Sequence, residues 1–180
     1  MIRNLFAAAV VVALSGVVVA ADFKSGPQTG DTVPGPFNVL NVTGPDAGES
    51  NCQFCKNGNN PVVMIFSRTT DSAALTKLIK EVDGKVGKEK LGSFVVYLTA
   101  DDKKTEKAVK ELAEKEAIKK VVLTLDSPTG PEAYKVAKDA EITVVLYKSR
   151  KVVANYTFEK GKMTEKDVEK VLADLPKITG

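Results

Sequence analysis

The sequence predicts an α/β domain with a mixed central sheet, helices on both faces and an N-terminal strand extension. Short continuous apolar runs at residues 61–66, 94–98 and 121–125 are typical of buried strands. Two segments with apolar residues at helical spacing, 72–83 and 103–117, lie between these runs. This alternation favours strands joined by crossover helices and packed into one sheet.

The first 21 residues have the pattern of a signal peptide. Arg3 supplies a positive charge, residues 5–14 form an apolar core too short to span a bilayer, and small residues precede Asp22. Cleavage is expected near Ala21, with Ala20 as a near alternative. A retained N-terminal membrane helix is the competing interpretation. We therefore expect an exported protein, periplasmic or secreted, without stable membrane insertion after cleavage.

The chain after the leader divides into a lead-in and a domain. Residues 22–36 are rich in Gly, Pro, Ser and Thr, which predicts a flexible lead-in. The domain is expected over residues 37–176, enough for one full core. Its first element is a strand over residues 37–43, where apolar and polar residues alternate.

The end of the predicted domain consists of a hairpin and a helix. Residues 142–147 and 152–156 are apolar runs separated by a short polar turn. Thr164 and Asp167 resemble a capping box and open the final helix. Before the hairpin, Pro131 suits the first turn of a short helix.

Composition excludes several classes of function. The net charge is only +3, and lysines alternate with acidic residues along the predicted helices, which is typical of a solvated helix face. Nucleic-acid binding is therefore not expected. The chain has no histidine, which removes Ser-His-Asp and Cys-His catalysis and histidine-ligated metal sites. Lys56 after Cys55 excludes the haem-attachment signature, and we expect neither cofactor nor metal.

The two cysteines of the chain, Cys52 and Cys55, form a Cys-x-x-Cys pair. Polar, turn-rich segments flank the pair, so no long helix is predicted to begin at Cys52, and Lys56 is the nearest cation. In an oxidising compartment the pair is expected to form a disulfide. Three roles remain open: a structural clip, a displaced redox pair, and a metal or intermolecular link.

Three segments resemble the thioredoxin-like superfamily, and more closely its redoxin branch of peroxiredoxin-like and TlpA-like proteins. Residues 30–37, Gly-Asp-Thr-Val-Pro-Gly-Pro-Phe, are similar to the redoxin lead-in. Residues 60–66, Asn-Pro-Val-Val-Met-Ile-Phe, are similar to the first core strand, and residues 141–147 to the strand after the catalytic cis-proline. The resemblance covers about residues 30–175 and implies a three-layer sandwich.

The same resemblance shows where the chain departs from the family. Aligned from Phe66, the usual cysteines fall near Asp71 and Ala74, so we expect the usual active-site cysteines to be missing. The family's cis-proline falls on Ile142, whose peptide bond is expected to be trans. Ordinary thioredoxin or peroxiredoxin chemistry is therefore not expected at the usual place.

The strand length predicts where the cysteine pair lies. Cys52 and Cys55 precede strand 61–66, whereas the usual active-site turn follows it. A strand of this length spans about 20 Å, so the pair is expected at the opposite, amino end.

Several other residues suggest chemistry but have simpler interpretations. Asp101 and Asp102 look like paired carboxylates, although a helix cap is the simpler explanation. Arg68 and Asp71 follow a core strand and could bind an anion or a partner, or form a solvated turn. The glycosylation sequons at residues 41–43 and 155–157 lie in predicted strands and receive little weight.

Two functional hypotheses follow from these patterns. In the first, the chain is an exported, degenerate redoxin domain with a Cys52–Cys55 disulfide and a structural or binding role. Its partner would be another exported protein or a small thiol or other ligand. In the second, the chain is a periplasmic thiol-disulfide oxidoreductase that uses Cys52 and Cys55 as a displaced catalytic pair.

Overall fold

Seven strands make up the sheet of this protein, which the computed structural model describes over residues 23–180. The predicted signal peptide, residues 1–21, lies outside the described residues. The strands are β1 (Val39–Asn41), β2 (Ser50–Asn51), β3 (Val62–Ser67), β4 (Gly92–Leu98), β5 (Val122–Asp126), β6 (Ala140–Lys148) and β7 (Lys151–Glu159). Their spatial order is β2-β1-β5-β4-β3-β6-β7.

Five α-helices connect or follow these strands. They are α1 (Gln53–Asn57), α2 (Ala73–Asp83), α3 (Asp102–Lys115), α4 (Glu165–Asp174) and α5 (Pro176–Thr179). Ser72 is the N-cap of α2, and its hydroxyl accepts a hydrogen bond from Leu75 N. The predicted capping box opens α4, because Asp167 Oδ2 accepts the N–H of Thr164. No helix within residues 23–180 is long and apolar enough to cross a membrane.

The central strand β3 fixes the mixed character of the sheet. It pairs in parallel with β4, where Met64 lies opposite Phe94, and antiparallel with β6, where Met64 lies opposite Val145. The strands β6 and β7 form the predicted antiparallel hairpin. The prediction of one mixed sheet is therefore confirmed. This sheet contains the apolar runs at residues 61–66, 94–98, 121–125, 142–147 and 152–156.

The two faces of the sheet are covered differently. The long helices α2, α3 and α4 all contribute to one apolar cluster, together with α5. On the opposite face the cover comes from Phe54 of α1, Tyr134 of a short 3-10 turn and apolar residues near the N-terminus such as Val33. The predicted α/β class, with helices on both faces, is confirmed, although the second face has only short helical segments.

The lead-in differs from the predicted flexible segment. Thr32 pairs with Lys151 of β7, Val33 N donates to Arg150 O, and Val152 N donates to Asp31 O. These bonds add the lead-in to the edge of the sheet. Glycine and proline permit the turns of this segment, but edge hydrogen bonds hold it in place.

A buried polar cluster fixes the start of the lead-in. Ser25 is 1% exposed, and its hydroxyl accepts hydrogen bonds from Ala137 N (3.0 Å) and Thr143 Oγ1 (2.7 Å). Asn155 Nδ2 donates to the carbonyls of Ser25 and Pro27, both at 2.9 Å. These bonds satisfy polar groups that would otherwise be buried without partners.

Replacing Ser25 tests whether the lead-in is part of the folded domain. The Ser25→Ala variant leaves the buried Thr143 hydroxyl and the Ala137 N–H without this partner, so we expect a loss of about 1–3 kcal/mol in unfolding free energy. Urea denaturation measures this change. Thr32→Ala is the control, because this exposed side chain is in the same segment and its loss should change stability by less than about 0.5 kcal/mol. Equal stability of both variants would mean that the lead-in contributes nothing.

Candidate functional site

Cys52 and Cys55 are joined in a disulfide at the start of α1, with their Cα atoms 5.2 Å apart. Cys52 is the N-cap of this helix, and its Sγ accepts a hydrogen bond from Cys55 N at 3.0 Å. The sequence did not predict this helix, which has only five residues. The structure therefore places the first cysteine at a helix N-terminus, where a sulfur that becomes a thiolate receives a backbone donor.

Phe54, between the cysteines, anchors α1 to the body of the protein. Its side chain is 4% exposed and belongs to the apolar cluster opposite the long helices. Its ring lies 6.2 Å from that of Tyr147 on β6, and the guanidinium carbon of Arg150 lies 5.4 Å above it. A helix of five residues is not stable by itself, so this burial is what holds it.

Gln53, the other residue between the cysteines, is buried in a network of amides. Its Nε2 donates to Asn41 Oδ1 at 2.7 Å and to Asn51 Oδ1 at 3.1 Å. Asn41 in turn donates to the carbonyl of Glu49. The network ties α1 to β1 and β2 without involving either sulfur.

The end of α1 fits closely against β4. Asn57 Nδ2 donates to the carbonyl of Gln53, and its Oδ1 occupies the space where a Cβ at Gly92 would be. Only glycine at position 92 leaves this room. The helix is thus fixed at both ends by contacts that do not depend on the disulfide.

The two cysteines differ in exposure. Cys55 is exposed, whereas Cys52 is half-buried and packs against the apolar cluster that contains Phe54. Lys56, the cation predicted to assist the pair, forms an ion pair with Asp46. Of the two cysteines, Cys55 is therefore the more open to solvent, and the charge of Lys56 is already balanced by Asp46.

The pair lies at the amino end of β3, as the strand length predicted. Only residues 58–61 separate α1 from this strand, and Ser149 N in the β6–β7 turn donates to Asn59 O. The residues aligned with the usual cysteines, Asp71 and Ala74, lie beyond the other end of β3 at the start of α2. The cysteine pair and the usual active-site position are therefore at opposite ends of one strand.

One expectation from the resemblance is wrong. We expected the usual active-site cysteines to be missing, but the chain has a Cys-x-x-Cys disulfide, Cys52–Cys55, at the start of α1. The usual cis-proline position is Ile142, and residues 23–180 contain no cis peptide bond, so the bond before Ile142 is trans.

Arg68 organises the carboxyl end of β3. Its guanidinium donates to the carbonyls of Ala140 (3.1 Å), Ala137 (3.2 Å) and Pro128. Partial burial lowers the pKa of Arg68, while Asp139 opposes this shift. With three of its five N–H donors bonded to backbone carbonyls, Arg68 holds the loop before β6 in place.

The remaining predicted site residues have structural roles. Asp101 is the N-cap of α3, and its Oδ1 accepts from Lys104 N at 3.1 Å, so the capping interpretation is confirmed. Asn41 of the first sequon is buried, and Asn155 of the second is bonded to the lead-in. Within residues 23–180 no three potential His, Cys, Asp or Glu ligands converge on one point.

Comparison with known proteins supports the fold but not a specific family. No family model matches the sequence, and no curated protein matches it. Solved structures do match. A provisionally assigned thiol:disulfide interchange protein DsbE from Chlorobium tepidum has a TM-score of 0.62 at 16% identity, covering 86% of this chain and 99% of that one.

Two further structures have the same fold. Peroxidoxin BcpB from Mycobacterium tuberculosis gives a TM-score of 0.61 at 18% identity, with 84% of this chain and 98% of that chain covered. A secreted disulfide oxidoreductase of the same organism, described as homologous to E. coli DsbE, gives 0.55 at 12% identity, covering 76% and 94%. The protein therefore has the thioredoxin-like fold of the redoxins.

The anchoring of α1 predicts that the disulfide is dispensable for folding. Its loop of four residues contributes only about 2 kcal/mol by chain entropy, whereas Phe54→Ala should cost about 3–5 kcal/mol. We expect the reduced protein to remain folded and the Phe54→Ala variant to be less stable than the Cys52→Ser/Cys55→Ser double variant. Urea denaturation with and without reductant measures both effects. Unfolding on reduction alone would show that the disulfide holds this end of the sheet.

Proposed function

We propose that this protein carries out thiol–disulfide exchange at the displaced pair Cys52 and Cys55. The observation that carries the proposal is the local geometry of the pair. Cys52 is a helix N-cap whose sulfur accepts the N–H of Cys55, and Cys55 is exposed. A disulfide with one accessible sulfur and one stabilised leaving sulfur is suited to exchange.

The direction of exchange follows from this asymmetry. An external thiolate attacks Cys55 Sγ, a new sulfur–sulfur bond forms, and the Cys52–Cys55 bond breaks. Cys52 leaves as a thiolate that keeps the hydrogen bond from Cys55 N. A second thiol of the same partner then displaces Cys55, so the partner dithiol is oxidised by two electrons. The protons of the partner's two thiols are transferred to Cys52 and Cys55.

The anchoring of α1 supports this role. Phe54 and Gln53 hold the helix through a buried ring and a network of amides, and neither contact involves a sulfur. The oxidised and reduced forms can therefore share one scaffold. A cysteine pair that serves exchange needs a scaffold that stays folded in both redox states, because the oxidised and reduced forms must both persist between reactions.

A second candidate function is binding without redox chemistry. At the carboxyl end of β3, where this fold usually has its active site, an open cleft of about 540 Å³ has charged side chains of both signs. Its lining residues are Arg68, Lys138, Asp139, Glu141, Glu159 and Lys160. Such a cleft could hold a charged partner segment or ligand. In this case the disulfide is a structural clip and the domain is a degenerate redoxin.

Equilibration in glutathione buffers and insulin-reduction assays distinguish the two candidates. For exchange, we expect a reduction potential within about −120 to −270 mV and turnover that the Cys52→Ser variant abolishes. The potential is read from the fraction of alkylated cysteines at each buffer ratio. Lys56→Ala is the control, since its ammonium is already paired with Asp46 and its loss should leave turnover nearly unchanged.

The opposite result would favour the structural clip. A potential below about −300 mV with no turnover means that cellular thiols do not open the bond. Binding at the charged cleft would then be the remaining candidate. The variants Lys138→Ala and Lys160→Ala test this binding separately from exchange. Both residues line the cleft and lie away from the cysteines.

We also propose that the protein works outside the cytoplasm. The supporting observations are the charge, apolar core and small residues of the first 21 positions. One structural neighbour is described as a secreted disulfide oxidoreductase. An oxidising compartment would keep the pair in the disulfide form, ready to accept electrons from a partner dithiol.

Mass spectrometry of the native protein tests the export proposal. We expect a mature N-terminus at Asp22 in the extracytoplasmic fraction, because cleavage after Ala21 fits the preference for small residues. The Arg3→Glu variant should be processed more slowly, since it reverses the charge of the leader. Arg3→Lys keeps that charge and is the matched control, which should be processed normally. An intact Met1 on a membrane-bound chain would contradict the proposal.

A further inference from the structure

The strand β2 leaves a free hydrogen-bonding edge directly before the disulfide. In its pairing with β1, Asn41 N donates to Glu49 O, and Leu40 lies opposite Ser50. In an antiparallel ladder, hydrogen-bonded and non-bonded pairs alternate, so the Leu40–Ser50 pair is a non-bonded one. The N–H and C=O of Ser50 therefore point away from β1, toward solvent.

This free edge continues into Cys52. The backbone of Cys52 is extended, with φ −96° and ψ 99°, and Cys52 follows Ser50 by two positions along the strand direction. Its N–H thus points to the same side as that of Ser50, by the alternation of an extended chain. Ser50 is exposed, and β2 is at the end of the strand order. Within residues 23–180, the N–H and C=O of Ser50 and the N–H of Cys52 have no hydrogen-bond partner, so these three backbone groups beside the disulfide can pair with an added strand.

We propose that this edge binds an extended cysteine-containing segment of another polypeptide, which pairs with Ser50 and Cys52 as an added strand. The inference rests on the proposed exchange function and names its substrate class as protein thiols. A strand added here lies about 4.8 Å from β2. A cysteine opposite Cys52 is then beside the disulfide, and its thiolate attacks the exposed Cys55 sulfur as described above.

The short length of the edge fits an exchanging substrate. Because β2 has only two residues, the added strand gains a few main-chain hydrogen bonds and no deep side-chain pocket. Binding is accordingly weak and tolerant of sequence, so the product can leave after exchange. A small thiol such as glutathione lacks the extended backbone needed to form the same bonds in register.

Kinetics with matched peptides test the inference. The probe is an eight-residue peptide of Ser, Thr and Val with one central cysteine, compared with glutathione at equal thiolate concentration. Two further versions carry backbone N-methyl groups, one on alternate residues and one on the complementary set. Since only one set of N–H groups faces β2, we expect one version to react about 5-fold more slowly and the other to match the parent peptide.

The outcomes separate this inference from the proposed function. We expect the parent peptide to react at least about 10-fold faster than glutathione, and Ser50→Pro to remove that advantage by deleting one donor. If peptide and glutathione react equally and both methylated versions behave alike, exchange stands but the strand-pairing inference is overturned. If neither thiol opens the disulfide, the proposed function fails and the inference fails with it.

Discussion

The complete burial of β3 is the constraint on which the rest of the structure depends. Residues Val62 to Phe66 are at most 1% exposed, and the strand has a hydrogen-bonded neighbour on each side. Both of its faces must therefore be covered with apolar groups. The long helices cover one face. The other face is closed by rings from distant parts of the chain, chiefly Phe37, Phe54 and Tyr134.

This second cover explains why the cysteines lie where they do. Phe54 can fill the space beneath β6 only if α1 is at the amino end of β3, and the cysteines on either side of Phe54 are carried there with it. The disulfide is thus located by a packing requirement of the core. At the carboxyl end of the same strand, Arg68 holds the neighbouring loop by its carbonyls, which stabilises a region where the fold usually has its redox site.

The sequence predicted the strands and helices whose apolar residues form a local, periodic pattern. The run at residues 61–66 agrees with β3 (Val62–Ser67), and the apolar spacing of residues 72–83 agrees with α2 (Ala73–Asp83). The helix α1 escaped prediction because five residues give no period, and its single core residue, Phe54, finds its partner on β6. The ordered lead-in escaped because composition does not reveal the bond between Ser25 and Thr143.

The sequence predicted the disulfide and its place in the fold, but not its local geometry. Cysteine spacing identified Cys52 and Cys55, and strand length placed them at the amino end of β3. The N-cap position of Cys52, and the difference in exposure between the two cysteines, depend on α1 and hence on tertiary packing. The role of Arg68 depends on carbonyls about 60 to 72 positions away in the chain, which no local pattern encodes.

The close fit of Gly92 and Asn57 also imposes an order on sequence change. A side chain at position 92 would collide with the Asn57 carboxamide, which is itself bonded to the carbonyl of Gln53. A smaller residue can replace asparagine at 57 while glycine remains at 92, whereas a side chain at 92 first requires the Asn57 carboxamide to rotate away and give up its bond to Gln53. Changes at this junction therefore cost least when they begin in the helix, so the segment carrying the cysteines influences which substitutions its neighbouring strand accepts.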